Sequence, residues 1–433
     1  MTEADARLAE LARRLRTGER TPESHLESLR ERVDEREPTV RAFLAEASRW
    51  ERLERTAERL ELQYSEPGSR PPLFGVPVGV KDIFHADGFE TRAGADVPPE
   101  AITGPQARTV SALEEAGAFV LGKTVTTEFA YFAPGPTRNP HDPERTPGGS
   151  SSGSAAAVAA GLCPLALGSQ TIGSVIRPAA FCGVVGVKPS YGRVPISGVV
   201  PVAPSVDHVG YFTPELAGAR LAAGVLVDGW RSVDVDEPIV GAVEGPYLEG
   251  ASETGRAHFE AHVDRLEEAG LEVRRLDPFP DIEGVNRRHR RLVAAETALS
   301  HAEWYPAYGD RYAPETVDLI EEGLTVDVEE LAAARAGRTA LREAVHEAMA
   351  DHGVDVLVSP AAPGPAPEGL ESTGDPVMNL PWTHAGLPAA TLPASTTDDG
   401  LPLGLQCTAR FGADEELLAW CRALEAALLA TSG

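Results

Sequence analysis

Lysine is almost missing from this chain. Its 433 residues contain three, at positions 81, 123 and 188, against 36 arginines. Acidic residues outnumber basic ones by 66 to 39, which gives a formal charge of −27 at pH 7. So anionic a chain lacks the cationic footprint that grips a nucleic-acid backbone or an anionic membrane surface, and neither partner is expected. Cysteine is also scarce. Cys163, Cys182, Cys407 and Cys421 show no metal-ligand spacing. The start, Met1-Thr-Glu-Ala-Asp-Ala-Arg7, is charged and carries no apolar export segment. The cysteines therefore read as buried thiols rather than disulfides, in a cytoplasmic protein. No run of about 18 apolar residues is present to span a membrane. His85, His141 and His208 stand in no ligand pattern, so neither a metal nor an organic cofactor is expected.

What the chain does have is a 42% apolar composition, ample for a large core. It also has glycine and serine packed together at unusual density. Thr146-Pro-Gly-Gly-Ser-Ser-Ser-Gly-Ser154 is followed by Gly168-Ser-Gln-Thr-Ile-Gly-Ser174-Val-Ile-Arg177. Each piece has an ordinary explanation when taken alone. Ser150-Ser-Ser152 suits a helix N-cap. Gly148 to Gly153 has phosphate-loop spacing, but Ser154 stands where that loop needs lysine, which discards a nucleotide site. Ser174 could be a plain serine in a glycine turn. Lys81, at the end of the apolar Phe74–Val80 segment, could pair with Asp82. A buried ammonium, however, loses its proton readily and becomes a base. A lysine, a bridging serine and a nucleophilic serine can together replace a Ser-His-Asp triad.

Periodicity predicts helices over 3–17, 22–34 and 38–62, with Thr21-Pro22 as a start signal. Further helices are expected over 106–117 and 154–160. Strands are expected over 74–80, 118–121, 164–167, 184–187, 353–358, 389–392 and 403–407. The alternation argues for an α/β sandwich with a mainly parallel sheet, fed from both ends of the chain. Residues 215–350 are charged and read as an inserted helical region. The expected organisation is one domain over 1–433. It comprises N-terminal helices (1–65), a motif-bearing core (66–215), a variable helical region (216–350) and C-terminal strands and helix of the same sheet (351–433). The Pro- and Gly-rich stretch 361–371 reads as a loop beside the site.

Taken together, Gly75-Val-Pro-Val-Gly-Val-Lys81-Asp, Gly148-Gly-Ser150-Ser-Ser-Gly-Ser154, Thr171-Ile-Gly-Ser174 and the run from Arg177 to Pro189 resemble the amidase signature family of serine-dependent amide hydrolases. Gly386-Leu-Pro-Ala and Leu401–Gln406 fit the same pattern, and the resemblance covers about residues 5–425. It implies the amidase signature fold, a large mixed β-sheet sandwiched between helices. It implies Ser174 as the acyl-forming nucleophile, and Ser150, preceded by a cis peptide bond, as the bridge to the base Lys81. The N–H groups of Thr171, Ile172, Gly173 and Ser174 would form the oxyanion hole, with Ser151 in support. The reaction implied is hydrolysis of a small-molecule linear amide to an acid and ammonia or an amine. Two positions depart from the family pattern: Ile172 replaces a usual glycine and Gln170 a frequent aspartate. Ser174-Val-Ile-Arg177-Pro looks like the malonamidase-type branch, in which Arg177 would anchor a substrate carboxylate; an internal salt bridge is its structural alternative. Trp304, Tyr305 and Trp382 are candidates for an acyl pocket, and Arg287-Arg-His-Arg-Arg291 for a solvated helix face. The rival function is the A-type component of a glutamine-dependent tRNA amidotransferase, which shares the motifs. Residues 230–350 show no recognisable likeness to that component, which favours a stand-alone amidase. A homodimer is the default assembly.

Overall fold

Ten strands hydrogen-bond into one sheet, in the order β2 (Phe119–Thr124), β1 (Pro77–Lys81), β3 (Leu165–Gln170), β5 (His208–Thr213), β4 (Val185–Lys188), β9 (Ala389–Thr396), β10 (Pro402–Thr408), β8 (Val356–Pro360), β6 (Val240–Val243) and β7 (Val273–Leu276). The computed structural model describes residues 7–430. The first four residues of the helix expected over 3–17 lie outside that range.

Three helices open the chain: α1 (Leu8–Thr17), α2 (Pro22–Val40) and α3 (Arg49–Gln63). The Thr21 hydroxyl accepts the Ser24 N–H at 3.1 Å, so the sequence signal for the start of α2 is used as expected. The helix then continues through Pro38 to Val40. Its buried stripe of Leu26, Leu29, Val33 and Val40 outweighs the one hydrogen bond the proline forfeits. Next come β1 (Pro77–Lys81), α4 (Arg108–Glu115), β2 (Phe119–Thr124), α5 (Ser152–Ala159), β3 (Leu165–Gln170), α6 (Ile176–Cys182), β4 (Val185–Lys188), β5 (His208–Thr213) and α7 (Leu216–Leu226). The chain continues with β6 (Val240–Val243), α8 (Glu253–Glu268), β7 (Val273–Leu276), α9 (Ile282–Ser300), α10 (Tyr305–Tyr308), α11 (Pro314–Leu324) and α12 (Val328–Asp351). It ends with β8 (Val356–Pro360), α13 (Leu380–Ala385), β9 (Ala389–Thr396), β10 (Pro402–Thr408) and α14 (Asp414–Ala430).

Two expectations are corrected. The sheet is mixed rather than mainly parallel. β1 pairs in parallel with β2 and β3, and β6 with β7 and β8, while the ladders between these outer groups are antiparallel. The short link between β9 and β10 can only join antiparallel neighbours. The middle of the chain is also not purely helical, since it supplies β6 and β7 to the same sheet.

Buried apolar side chains run without a break from Leu8 in α1 to Leu428 in α14, so both chain ends share one core. The result is a single compact α/β domain. Its centre holds α5, whose residues Ser152 to Val158 are all buried. Small side chains let this helix lie close against the strands around it. All four cysteines are buried free thiols. Among the described residues no helix is long and apolar enough to cross a membrane.

Candidate active site

The register of two parallel strands assembles the site. Val80 of β1 lies opposite Leu167 of β3, so the two strands run out at the same end of the sheet, where Lys81 meets Ser169. Lys81 is fully buried. Its Nζ lies 2.8 Å from Ser150 Oγ and 2.8 Å from Ser169 Oγ. The alternative pair with Asp82 does not form. Successive side chains leave a strand on opposite sides, and the Asp82 carboxylate sits 2.7 Å from Lys123 Nζ instead. Burial holds the Lys81 amine well below the ordinary lysine range, against a partial opposing pull from Asp207. A neutral amine hydrogen-bonded to a hydroxyl is equipped to take its proton.

Ser150 follows a cis Gly149–Ser150 peptide bond. Ser151 Oγ accepts the Ser169 N–H at 3.3 Å and donates to the Ser169 carbonyl at 3.2 Å. It therefore clamps the residue that holds Lys81. Ser169 is absent from the residues that the sequence singles out, although a serine at the end of an otherwise apolar strand is an available signal.

The loop from Thr171 to Ser174 connects β3 to α6. Three of its carbonyls are tied back into the protein. Thr171 O lies 3.1 Å from His289 Nε2, Ile172 O accepts from Thr383 Oγ1 at 2.7 Å, and Gly173 O accepts the Arg177 N–H at 3.0 Å. In a trans peptide the N–H points opposite to the carbonyl. The N–H groups of Ile172, Gly173 and Ser174 therefore turn away from these anchors, and among the described residues none donates to another protein group. Such a row of free donors can hold a developing oxyanion. Gly173 is required by close approach: a Cβ there would meet Asn379 Oδ1 at 2.5 Å and Pro376 Cβ at 2.8 Å. Gln170 also keeps the loop in shape. Its Oε1 accepts the Val175 and Ile176 N–H groups at 2.8 and 3.0 Å, so an amide oxygen does what an aspartate would do at the start of α6.

Ser174 lines a tight cavity of about 10 Å³ together with Tyr131, Phe132, Ile172, Arg177 and Pro376. That is room for roughly one water molecule. Tyr131, Phe132, Ile172 and Pro376 also line an adjoining cavity of about 360 Å³, whose further walls include Val293, Leu319 and Leu380. A wider groove on the other side of Phe132 and Pro376 is bordered by the 361–376 loop. The hydrogen-bonded chain that starts at Lys81 stops at Ser150, and Ser174 Oγ has no partner among the described residues. Catalytic hydrogen bonds commonly tighten only when substrate arrives.

Arg177 does not form the internal salt bridge that was its structural alternative; it lines the Ser174 cavity with its Nε unpartnered, while the rest of its guanidinium serves the fold. It is buried, and its guanidinium donates to the carbonyls of Gly374 and Gly149 and to Thr373 Oγ1, with 2.7 Å to Gly149 and 3.3 Å to Thr373. It makes no salt bridge among the described residues and fastens the 361–376 loop to the cis peptide. The three aromatic candidates also fall elsewhere. Trp382 is core, with its Nε1 3.1 Å from the Tyr247 hydroxyl. Trp304 stacks on Phe129, and Tyr305 packs edge-on to Tyr312. Large aromatic surface is drawn to core packing, and Tyr131 and Phe132 stand at the cavity instead. Arg287, Arg288, Arg290 and Arg291 each face an acid, from Arg291–Glu330 at 2.7 Å to Arg287–Glu283 at 3.8 Å.

Comparison with known proteins agrees with this geometry. The Amidase family profile matches residues 25–418. The A-type component of the glutamyl-tRNA(Gln) amidotransferase of Thermus thermophilus is 34% identical, over 96% of each chain. Its counterpart of the same name from Natronomonas pharaonis is 35% identical, over 79% of this chain and 93% of its own. A crystal structure described as an amidase superposes with a TM-score of 0.87 at 34% identity, covering 97% of this chain and 99% of that one. The Thermus match includes the 230–350 region, so that region does not set the chain apart from amidotransferase components as its sequence suggested. The malonamidase-type branch is likewise replaced by likeness to these amidotransferase components. With its profile matched over most of its length, the chain belongs to the Amidase family.

Proposed function

We propose that the protein cleaves a carboxamide through an acyl-enzyme on Ser174. The observation that carries this is the buried Lys81 amine, bonded to Ser150, beside a loop whose N–H groups all face away from tied-back carbonyls. In the first half-reaction the Ser174 proton passes through Ser150 to Lys81 as Oγ bonds to the amide carbon. The oxyanion rests on the N–H groups of Thr171, Ile172, Gly173 and Ser174. Lys81 returns the proton through Ser150 to the nitrogen as the C–N bond breaks. Water then adds to the ester, and the acid leaves as Ser174 recovers its proton. Ser151 and Ser169 hold the relay in place.

The adjoining cavity combines apolar walls (Val293, Leu319, Leu380) with the arginines Arg287 and Arg290. The apolar walls support an apolar acyl group, and Arg177, whose Nε is unpartnered beside Ser174, keeps a short carboxylated one such as malonamate as the competing substrate. The test is ammonia release from propionamide, benzamide, indoleacetamide, malonamate and glutamine. Release by the wild type that disappears in Ser174→Ala and Lys81→Ala would support the assignment. Release that survives both substitutions would sink it.

A second reading has more comparative support: the chain as the glutamine-cleaving component of an amidotransferase. It rests on the names of relatives that align across nearly the whole chain. Glutamine cleavage that appears only with co-purifying partner chains would select it. Efficient cleavage of apolar amides by the isolated protein would select free hydrolysis.

A further inference from the structure

A buried histidine pair lies behind the oxyanion loop, and nothing in the relay described above uses it. His289 comes from α9 and His384 from α13; both are buried, and the His289 ring also forms part of the wall of the cavity of about 360 Å³. His289 Nε2 is 3.1 Å from the Thr171 carbonyl, and its Nδ1 is 3.2 Å from His384 Nδ1.

The partners fix the proton positions. A carbonyl only accepts, so His289 Nε2 carries hydrogen. In a neutral ring Nδ1 is then the acceptor, and the facing His384 Nδ1 must carry hydrogen in turn. His384 Nε2 is left as the bare end of the chain, and it has no partner among the described side chains. Burial pushes His289 down to about 3 and His384 down to about 2, so both rings stay neutral under working conditions.

We infer that His289 and His384 are positioning residues of the oxyanion hole. His289 holds the Thr171 carbonyl back, which turns the Ile172 N–H toward the reacting carbonyl, and His384 fixes the tautomer His289 needs. The inference rests on the proposed acyl-enzyme chemistry. It deepens that proposal by naming what aims one of its donors. Thr383 and the Arg177 N–H aim the next two donors in the same way. The neighbouring Ile172 side chain lines both cavities, so its peptide sits where a substrate carbonyl must pass.

The test compares three substitutions at one position. His289→Gln carries an amide N–H to about the reach of Nε2; His289→Asn falls short of it; His289→Leu has no donor. Each is assayed for kcat and KM on the best amide. Each is also assayed for the rate at which an alkyl fluorophosphonate modifies Ser174, and for melting temperature. Losing an oxyanion donor costs about 10²–10³ in rate. The Asn and Leu variants should therefore lose at least about tenfold in kcat and in the rate of phosphonylation by a short-chain probe that does not fill the cavity, while Gln recovers most of both. His384→Leu should fall between, because His289 can then adopt the wrong tautomer.

Equal rates for Gln and Asn at equal melting temperature would overturn the inference, as would loss in all variants that follows melting temperature alone. A wild type that neither cleaves amides nor reacts with the phosphonate would overturn the proposed chemistry and this inference with it. A reactive wild type with unimpaired Asn and Leu variants would overturn this inference alone.

Discussion

Lys81 is held by hydroxyls, with no carboxylate hydrogen-bonded to it. That makes its proton the most pH-sensitive part of the site. Burial lowers its affinity well below the ordinary lysine value of 10.5, so the unfolded chain binds a proton that the folded chain has released. Stability must then rise with pH from the lowered value up to the ordinary lysine range, and flatten above it. Activity should rise over the lower part of the same window, as the amine becomes a base. Lys81→Met should abolish turnover and reduce this slope in a plot of melting temperature against pH, leaving the part that Lys188, pushed down to about 7 by burial, contributes in the same direction. A slope unchanged in the variant would mean that Lys81 is not the group that titrates. Ile172 makes the other prediction at this scale. Its side chain lines both the tight cavity at Ser174 and the larger one beside it. Ile172→Gly leaves the loop N–H groups in place and opens the passage between the two. Bulky aryl amides should gain in kcat/KM relative to propionamide, and an unchanged ratio would show that Ile172 does not restrict entry.

At the scale of elements, the segment after β2 is joined to the middle of the chain by the Phe129 ring, packed on His301, Trp304 and Tyr312, and by the Glu128 carboxylate. The residue at the start of α11, Ala313, has no side-chain cap. Glu128 supplies one from outside, accepting the Ala313 N–H at 2.9 Å and the Thr316 hydroxyl at 2.5 Å. The same segment leads into Tyr131 and Phe132 through Phe129 and Ala130, both with positive φ (44° and 59°). Two non-glycine residues in that region hold only where the surroundings enforce them. A lost cap and a stranded hydroxyl cost about 1–3 kcal/mol, partly offset by no longer burying a carboxylate. Glu128→Ala should therefore lower unfolding free energy by about 1–2 kcal/mol in urea titrations and raise KM as the cavity wall loosens. No change in either would remove Glu128 from this role. Legibility follows the same division. Lys81, Ser150 and Ser174 stand out because no core or helix needs that density of glycine and serine. Thr21 can be read because a cap is a local interaction. The strands β6 and β7 cannot be read. Val240-Gly-Ala-Val243 is too short for its period to show, and Val273-Arg-Arg-Leu276 is an edge strand whose two arginines are partly exposed. Ser169 and His384 join the site only through tertiary register, and no local pattern marks them; His289 sits in the Arg287–Arg291 cluster, where a stretch that reads as a solvated face buries its one histidine. Arg177 is read only in part from sequence, which shows a charge but not the carbonyls that take up most of it.

For the whole molecule the dominant fact is a net charge of −27. Like charges spread over one surface repel most when the chain is compact, so repulsion opposes folding. Salt acts in two directions. It weakens favourable pairs such as Arg13 with Glu10 and Glu19, at 2.8 and 2.5 Å. Exposed pairs of this kind contribute only about 0–1 kcal/mol each, and much of that survives at short range. Salt also screens the excess of acids, whose mutual repulsion acts over longer distances and is felt most strongly when the Debye length is long. That length falls from about 30 Å at 0.01 M to about 10 Å at 0.1 M and about 3 Å at 1 M. The long-range repulsion should therefore disappear first, and screening should win. Melting temperature should climb steeply over the first of these intervals in sodium chloride and more slowly over the second. Sucrose at matched osmolality should reproduce only the slow part, because solute exclusion strengthens burial without screening charge. A melting temperature that is flat or falling across the first interval would mean that the arginine–acid pairs outweigh the uncompensated acids. The excess charge would then be too dispersed to matter for folding.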